Sequence, residues 1–167
     1  MFPGSDPNSV QRQYMTDAYL RIRQQTHEQY TVPRINFPDW VLNRIHWDGS
    51  ERVLDVGSGS GVYYEALRHA LPDVSYYAID QSLGMLQAHS AVKGLAAADA
   101  QTLPFADATF DVVMANHMLY HVPNIEQAIL EARRVLKPEG VYVTATNSLQ
   151  SMPEFLALFR RGMLLLS

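Results

Sequence analysis

Residues 53–61 read VLDVGSGSG. Two aliphatics, an acid and a third aliphatic form a short run suited to a buried strand, and glycine then takes every second position at 57, 59 and 61. A strand that ends in so bare a backbone predicts the first strand-to-helix turn of a parallel α/β sheet. There a β-carbon would keep a ligand from touching the main chain.

The chain on either side fits that reading. Downstream, strand-like and helix-like segments alternate: strands over 52–56, 74–79, 95–98, 110–115 and 141–146, with helices over 62–70, 83–92 and 125–136. Asn124 followed by Gln127 resembles a capping box before the third of these helices. Strands joined by such helices predict right-handed parallel crossovers and a doubly wound, Rossmann-like α/β sheet with helices on both faces. Upstream, residues 1–10 read as a flexible arm. Residues 11–48 read as a helical segment, with Tyr14, Ala18, Tyr19 and Ile22 at helical spacing and Pro38 opening a short helix that carries Trp40, Val41 and Ile45. Residues 49–167 form the α/β domain.

Composition excludes several classes. A chain of 167 residues with 47% hydrophobic and 18% charged positions is an ordinary globular size and mixture. The formal net charge of −4 argues against a broad nucleic-acid surface, since that affinity comes largely from clustered Lys and Arg on phosphates. No apolar run is long enough for a membrane span and the first residues lack signal-peptide order, so a cytoplasmic protein with no membrane partner is expected. Cysteine is absent, which removes thiolate metal sites and thiol nucleophiles. His27, His46, His69 and His89 show no metal-ligand spacing with carboxylates, and no metal is expected.

The glycines alone do not identify the ligand. The dinucleotide fingerprint started at Gly57 needs glycine at position 62, where this chain has Val62, and no Gly-Lys-Ser/Thr of a P-loop follows. Asp80 ends the second strand about 20 residues after the glycines, where a carboxylate can accept both hydroxyls of a ribose; it also suits the start of a helix beside Ser82.

DVGSGSG at 55–61, the acid in AIDQS, ADAQTLPFADATFDVV at 98–113 and ARRVLKPEGVYVTAT at 132–146 together resemble a class I S-adenosylmethionine-dependent methyltransferase of the small-molecule, type 11 branch. The resemblance covers about residues 50–148. It implies S-adenosylmethionine as cofactor and S-adenosylhomocysteine as product. Asp55 and the backbone of Gly57, Ser58 and Gly59 would hold the methionine end, Asp80 the ribose, and Gln81 and Met85 would flank the adenine. Asp99 would accept from the adenine amino group, the Ala100 main chain would meet a ring nitrogen, and the Asn116 carbonyl would meet the cofactor's amino group. Asp111 and the 103–105 turn read as structural.

A sulfonium methyl is already activated, so the main task is to hold an acceptor in line and exclude water. His117 is the candidate base facing the acceptor; His121 reads as a packing residue and Tyr120 as a pocket wall. The acceptor is expected to be a small molecule methylated on oxygen, nitrogen or carbon. Base amino methylation is disfavoured because Asn116 is not followed by Pro-Pro-aromatic.

The resemblance breaks at the C-terminus. The family adds a helix and two strands after strand five, whereas residues 147–167 suffice for one helix, so the last two strands are expected to be missing. Strand five would then be an edge through which two copies could pair. The N-terminal tyrosines, Tyr14, Tyr19 and Tyr30, are candidates for a lid. The alternative function is a module that binds the cofactor without catalysis; a nicotinamide dehydrogenase is disfavoured by Val62.

Overall fold

The computed structural model describes residues 34–146, together with a few positions between 22 and 32. The expected arm at 1–10, Tyr14, Tyr19 and the C-terminal helix lie outside the described residues. Tyr30 is described and is 70% exposed.

The elements are α1 (Phe37–Leu42), β1 (Arg52–Val56), α2 (Val62–Ala70), β2 (Ser75–Asp80), α3 (Leu83–Gln87), β3 (Leu95–Ala97), β4 (Phe110–Met114), a 3-10 turn (Leu119–His121), α4 (Ile125–Val135) and β5 (Leu136–Val143). The five strands pair in parallel in the order β3-β2-β1-β4-β5. The chain steps outward from β1 to β3, then returns to lay β4 on the other side of β1. Strand order therefore reverses between β1 and β4, and the crevice that such a reversal opens lies beyond their carboxyl ends.

Alternation along the strands builds two cores. Val53, Val112 and Met114 face Val41 and Leu42 of α1 and Tyr63 and Leu67 of α2. Leu54, Val56 and Val113 face the other way, toward Ala132 and Val135 of α4 and toward Leu103. Both faces are thus covered, as expected of a parallel sheet. Leu54 is fully buried, and truncation of such a side chain typically costs about 2–5 kcal/mol.

One local feature follows the expected pattern and two depart from it. No helix crosses from β3 to β4; residues 98–109 are irregular and are clasped to α4 by Arg134. That guanidinium bonds the Leu103 and Phe105 carbonyls, Asp107 and Glu131. The helix α3 ends at Gln87: Ala88 and His89 N–H still bond its last carbonyls, but Ser90 N–H turns to the Ser60 carbonyl and Ala91 N–H to the His89 ring. Strand β5 begins at Leu136, which pairs with Phe110 ahead of a register irregularity. Glu139 then takes a φ of 66° and Gly140 passes where a β-carbon would lie 2.9 Å from the Asp111 carbonyl oxygen.

Asp111 is structural, as its position implied. It accepts from the Arg52 N–H at 2.9 Å and from Lys137 Nζ at 2.7 Å, joining the entrances of β1, β4 and β5.

Candidate functional site

The glycine turn after β1 has Gly57, Gly59 and Gly61 all at positive φ, 68°, 58° and 90°. This is the left-handed region that glycine enters at little cost. The N–H groups of Gly57 and Ser58 both reach the Ile79 carbonyl, at 2.8 and 3.0 Å, so the turn is tied to the end of β2. What fills the space of the missing β-carbons is the protein itself. A β-carbon on Gly57 would lie 2.7 Å from Met118 Cβ, and one on Gly61 would lie 2.6 Å from His89 Cε1. Two of the three glycines are therefore bare to admit side chains as well as to bend.

Asp80 completes the turn. Its Oδ2 accepts from the Gly59 N–H at 2.9 Å and its Oδ1 from the Ser82 N–H at 2.8 Å. Burial raises its pKa against the opposing pull of those N–H groups. The sequence spacing between glycine and acid is thus a direct bond, and Asp80 fixes the turn as well as offering its remaining lone pairs to the crevice. Ser82 also caps α3, accepting from the Met85 N–H at 3.3 Å, so Asp80 stands at a helix start as one of its two readings expected.

Asp55 lies beneath the turn, 2% exposed. Tyr76 Oη donates to its Oδ2 at 2.8 Å. Burial pushes the Asp55 carboxyl up to about 7; the Tyr76 bond opposes that rise and the Asp80 charge adds to it. Tyr76 and His89, whose Nε2 lies 3.5 Å from the Tyr76 hydroxyl, were not singled out from sequence. Both occupy ordinary apolar or helical patterns, and only the paired strands bring them to Asp55.

At the tip of β3, Asp99 is half-buried and accepts from the Gln101 N–H at 2.8 Å and from Gln101 Nε2 at 3.0 Å. Ala100 is half-buried beside it. Gln81 is exposed at the mouth of the crevice, whereas Met85 is 1% exposed. At that exposure the Met85 side chain is buried among its neighbours rather than laid open as the surface expected beside an adenine.

Past β4 the chain stays paired with the β5 side, through His117 N–H to the Ala145 carbonyl at 2.7 Å. His117 takes a φ of 56°, a conformation uncommon for a non-glycine residue and concentrated at functional positions. It is exposed, with the Phe37 ring 5.4 Å away. His121 sits in the 3-10 turn with its ring 4.4 Å from that of Tyr120, which suits a packing role.

Asn116 is 7% exposed, and neither its Oδ1 nor its Nδ2 has a partner among the described residues; the same holds for the buried Ser58 Oγ and Tyr63 Oη. Register places Asn116 level with Gly57, just past the Asp55–Met114 pair. Burial raises the Tyr63 phenol pKa and the Asp55 charge raises it further. Buried polar groups normally find partners. Here donors and acceptors without partners gather at the carboxyl ends of β1 and β4, which fits a polar ligand with both donor and acceptor groups, such as an amino acid. No group of three or more His, Asp or Glu side chains among the described residues is placed to hold a metal ion.

Comparisons with known proteins point the same way. A family model described as a methyltransferase domain matches residues 54–144. The malonyl-acyl-carrier-protein O-methyltransferase of Geobacter sulfurreducens is 26% identical over 145 residues, 82% of this chain and 54% of that protein. The demethylmenaquinone methyltransferase of Renibacterium salmoninarum is 38% identical over 111 residues, 65% of this chain and 46% of that protein. The chain therefore spans about half the length of the curated relatives it matches. In fold it is similar to a Haemonchus contortus phosphoethanolamine N-methyltransferase solved with phosphomonomethylethanolamine and S-adenosylhomocysteine. That likeness has a TM-score of 0.70 at 19% identity, over 94% of this chain and 40% of the other.

Proposed function

The chain belongs to the methyltransferase-domain family, and on that premise we propose that it transfers a methyl group from S-adenosylmethionine to a small-molecule acceptor. The observation that carries the reading is the set of buried polar atoms without described partners, Ser58 Oγ and the Asn116 amide, beside the glycine turn at the strand-order reversal.

The site residues are assigned as follows. Asp55, the backbone of Gly57, Ser58 and Gly59, and Asn116 hold the amino-acid end of the cofactor; an ammonium beside Asp55 favours the ionised carboxylate. Asp80 takes the ribose hydroxyls with the lone pairs that Gly59 and Ser82 leave over. Gln81, Asp99 and the Ala100 main chain meet the adenine, with Asp99 held in place by Gln101. When bound, the cofactor supplies an electrophilic methyl on a sulfonium. The protein's part is to align the acceptor with the carbon–sulfur bond and exclude water.

His117 is the candidate to take a proton from the acceptor, since its exposed ring stands at the carboxyl end of β4. The two named relatives act on different acceptors, so their common ground with this chain is the cofactor half. Methylation of oxygen, nitrogen or carbon, a cytoplasmic setting and pairing of two copies through β5 belong to the same proposal. No helix among the described residues is long and apolar enough to cross a membrane.

Calorimetric titration with S-adenosylhomocysteine and, separately, NADH tests the reading. Binding of the former alone supports it, and binding of NADH alone overturns it. A protein that binds S-adenosylhomocysteine yet methylates nothing in a metabolite screen with S-adenosylmethionine is the cofactor-holding module of the alternative reading.

A further inference from the structure

The buried groups behind the glycine turn form a directed chain that the proposed reaction has not used. His89 is 8% exposed, and its Nδ1 accepts from the Ala91 N–H at 2.9 Å. An imidazole that accepts at Nδ1 is neutral and carries its hydrogen on Nε2. That Nε2–H lies 3.5 Å from Tyr76 Oη and cannot accept the phenolic hydrogen. The hydroxyl is thereby left one direction in which to donate, toward Asp55 Oδ2 at 2.8 Å. His89 is itself locked in place. Tyr64 and Tyr76 pack against its ring at 5.8 and 6.0 Å, Ser90 N–H bonds the Ser60 carbonyl, and the ring fills the space that a side chain at 61 would need.

We propose that Tyr76 and His89 are positioning residues for the methyl donor: the tautomer of His89 aims the Tyr76 hydroxyl at Asp55, and that bond fixes the carboxylate and favours its ionised form. The inference rests on the function proposed above, in which ionised Asp55 meets the donor's ammonium group. Burial lowers the His89 pKa, which keeps the ring neutral and the chain intact near neutral pH. The titratable groups facing this chain are Asp80 at the end of β2, Tyr63 and Tyr64 on α2, and Tyr76 and His89 themselves; Asp80 opposes ionisation of Asp55. The hydroxyl bonded to the carboxylate favours its charge against burial and the Asp80 charge.

The test is titration with S-adenosylhomocysteine from pH 5.5 to 8.5 for the wild type, Tyr76→Phe and His89→Asn. Wild-type affinity should fall as pH drops below about 7, approaching tenfold per unit. Losing a hydrogen bond to a charged group should move the Tyr76→Phe profile upward by about one pH unit, weakening binding at pH 6 about tenfold and at pH 8.5 by less than about twofold. His89→Asn, whose Oδ1 can still accept from the Ala91 N–H while Nε2 is lost, should shift the profile the same way by less. A loss by the same factor at every pH marks mere packing and overturns the inference. So does an unmoved Asp55 carboxyl titration by carbon-13 NMR in ligand-free Tyr76→Phe. A wild type that binds at no pH instead overturns the functional reading on which the inference stands.

Discussion

Replacing Asp55 with asparagine should stabilise the ligand-free protein by an amount that grows as pH rises from about 4 to about 7. The buried carboxyl titrates near 7 in the fold, against about 3.9 in the unfolded chain. Between those values the folded state keeps a proton that the unfolded state releases, so stability falls as pH rises. Asp55's contribution is fully present below about pH 4 and is lost by the time pH passes 7. Three pKa units at about 1.4 kcal/mol each set a ceiling of roughly 4 kcal/mol. The asparagine side chain has nearly the same shape, would accept the Tyr76 hydroxyl and would not ionise, so Asp55→Asn should recover about 2–4 kcal/mol at pH 8 and no more than about 1 kcal/mol at pH 4.5. Each kcal/mol moves the midpoint about 2–4 °C for a chain of this size, and thermal melts at pH 4.5, 6 and 8 read the difference directly. Adding S-adenosylhomocysteine at pH 8 should narrow or reverse the gap, because only the wild type carries the charge proposed to meet the ligand's ammonium. A variant less stable than wild type at pH 8, or a gain of equal size at all three pH values, would refute the reasoning.

Asp80→Ala should weaken S-adenosylhomocysteine binding by roughly 1.5–3 kcal/mol, since it removes the proposed ribose acceptor and frees the Gly59 and Ser82 N–H groups; unchanged affinity by calorimetry would take Asp80 out of the site. Gly61→Ala combines a φ of 90° with a 2.6 Å approach to the His89 ring, and chemical denaturation should show a loss of about 2–4 kcal/mol. Asn116→Leu removes a buried amide without described partners; the variant should be more stable by about 1–2 kcal/mol while binding S-adenosylhomocysteine at least about tenfold more weakly. Equal binding by that variant would assign the amide to packing alone.

Much of this molecule is written locally. The runs RVLDV and FDVVM are apolar enough to be central strands, and they are β1 and β4. Gly61 marks the turn before α2, where it stands as the N-cap in the left-handed conformation. The expected capping box is half made: Asn124 accepts from the Gln127 N–H, but the Gln127 side chain reaches the Gln101 carbonyl instead of turning back. That exchange, like the early end of α3 and the early start of β5, depends on partners far along the chain, which no window of neighbouring residues contains. Met85 shows the same limit, because a methionine on a short helix reads alike whether it faces a ligand or a core. Tyr76 and His89 were illegible for a related reason: their meaning lies in what β1 sets beside them. Asp80 drew notice from its own position, at the end of a strand where such sheets bind ligands, whereas Asp55 and Asp99 were expected only through the family resemblance.

The bonds that hold the floor of the crevice also have a bearing on the order in which the chain assembles. Gly59 to Asp80 and Tyr76 to Asp55 each span 21 residues, whereas Arg52 to Asp111, which brings β4 to β1, spans 59. Short loops close at lower entropic cost than long ones. The β1-α2-β2 unit can therefore nucleate with its glycine turn already stapled, and β4 and β5 dock onto strands whose own bonds close over far shorter stretches of chain.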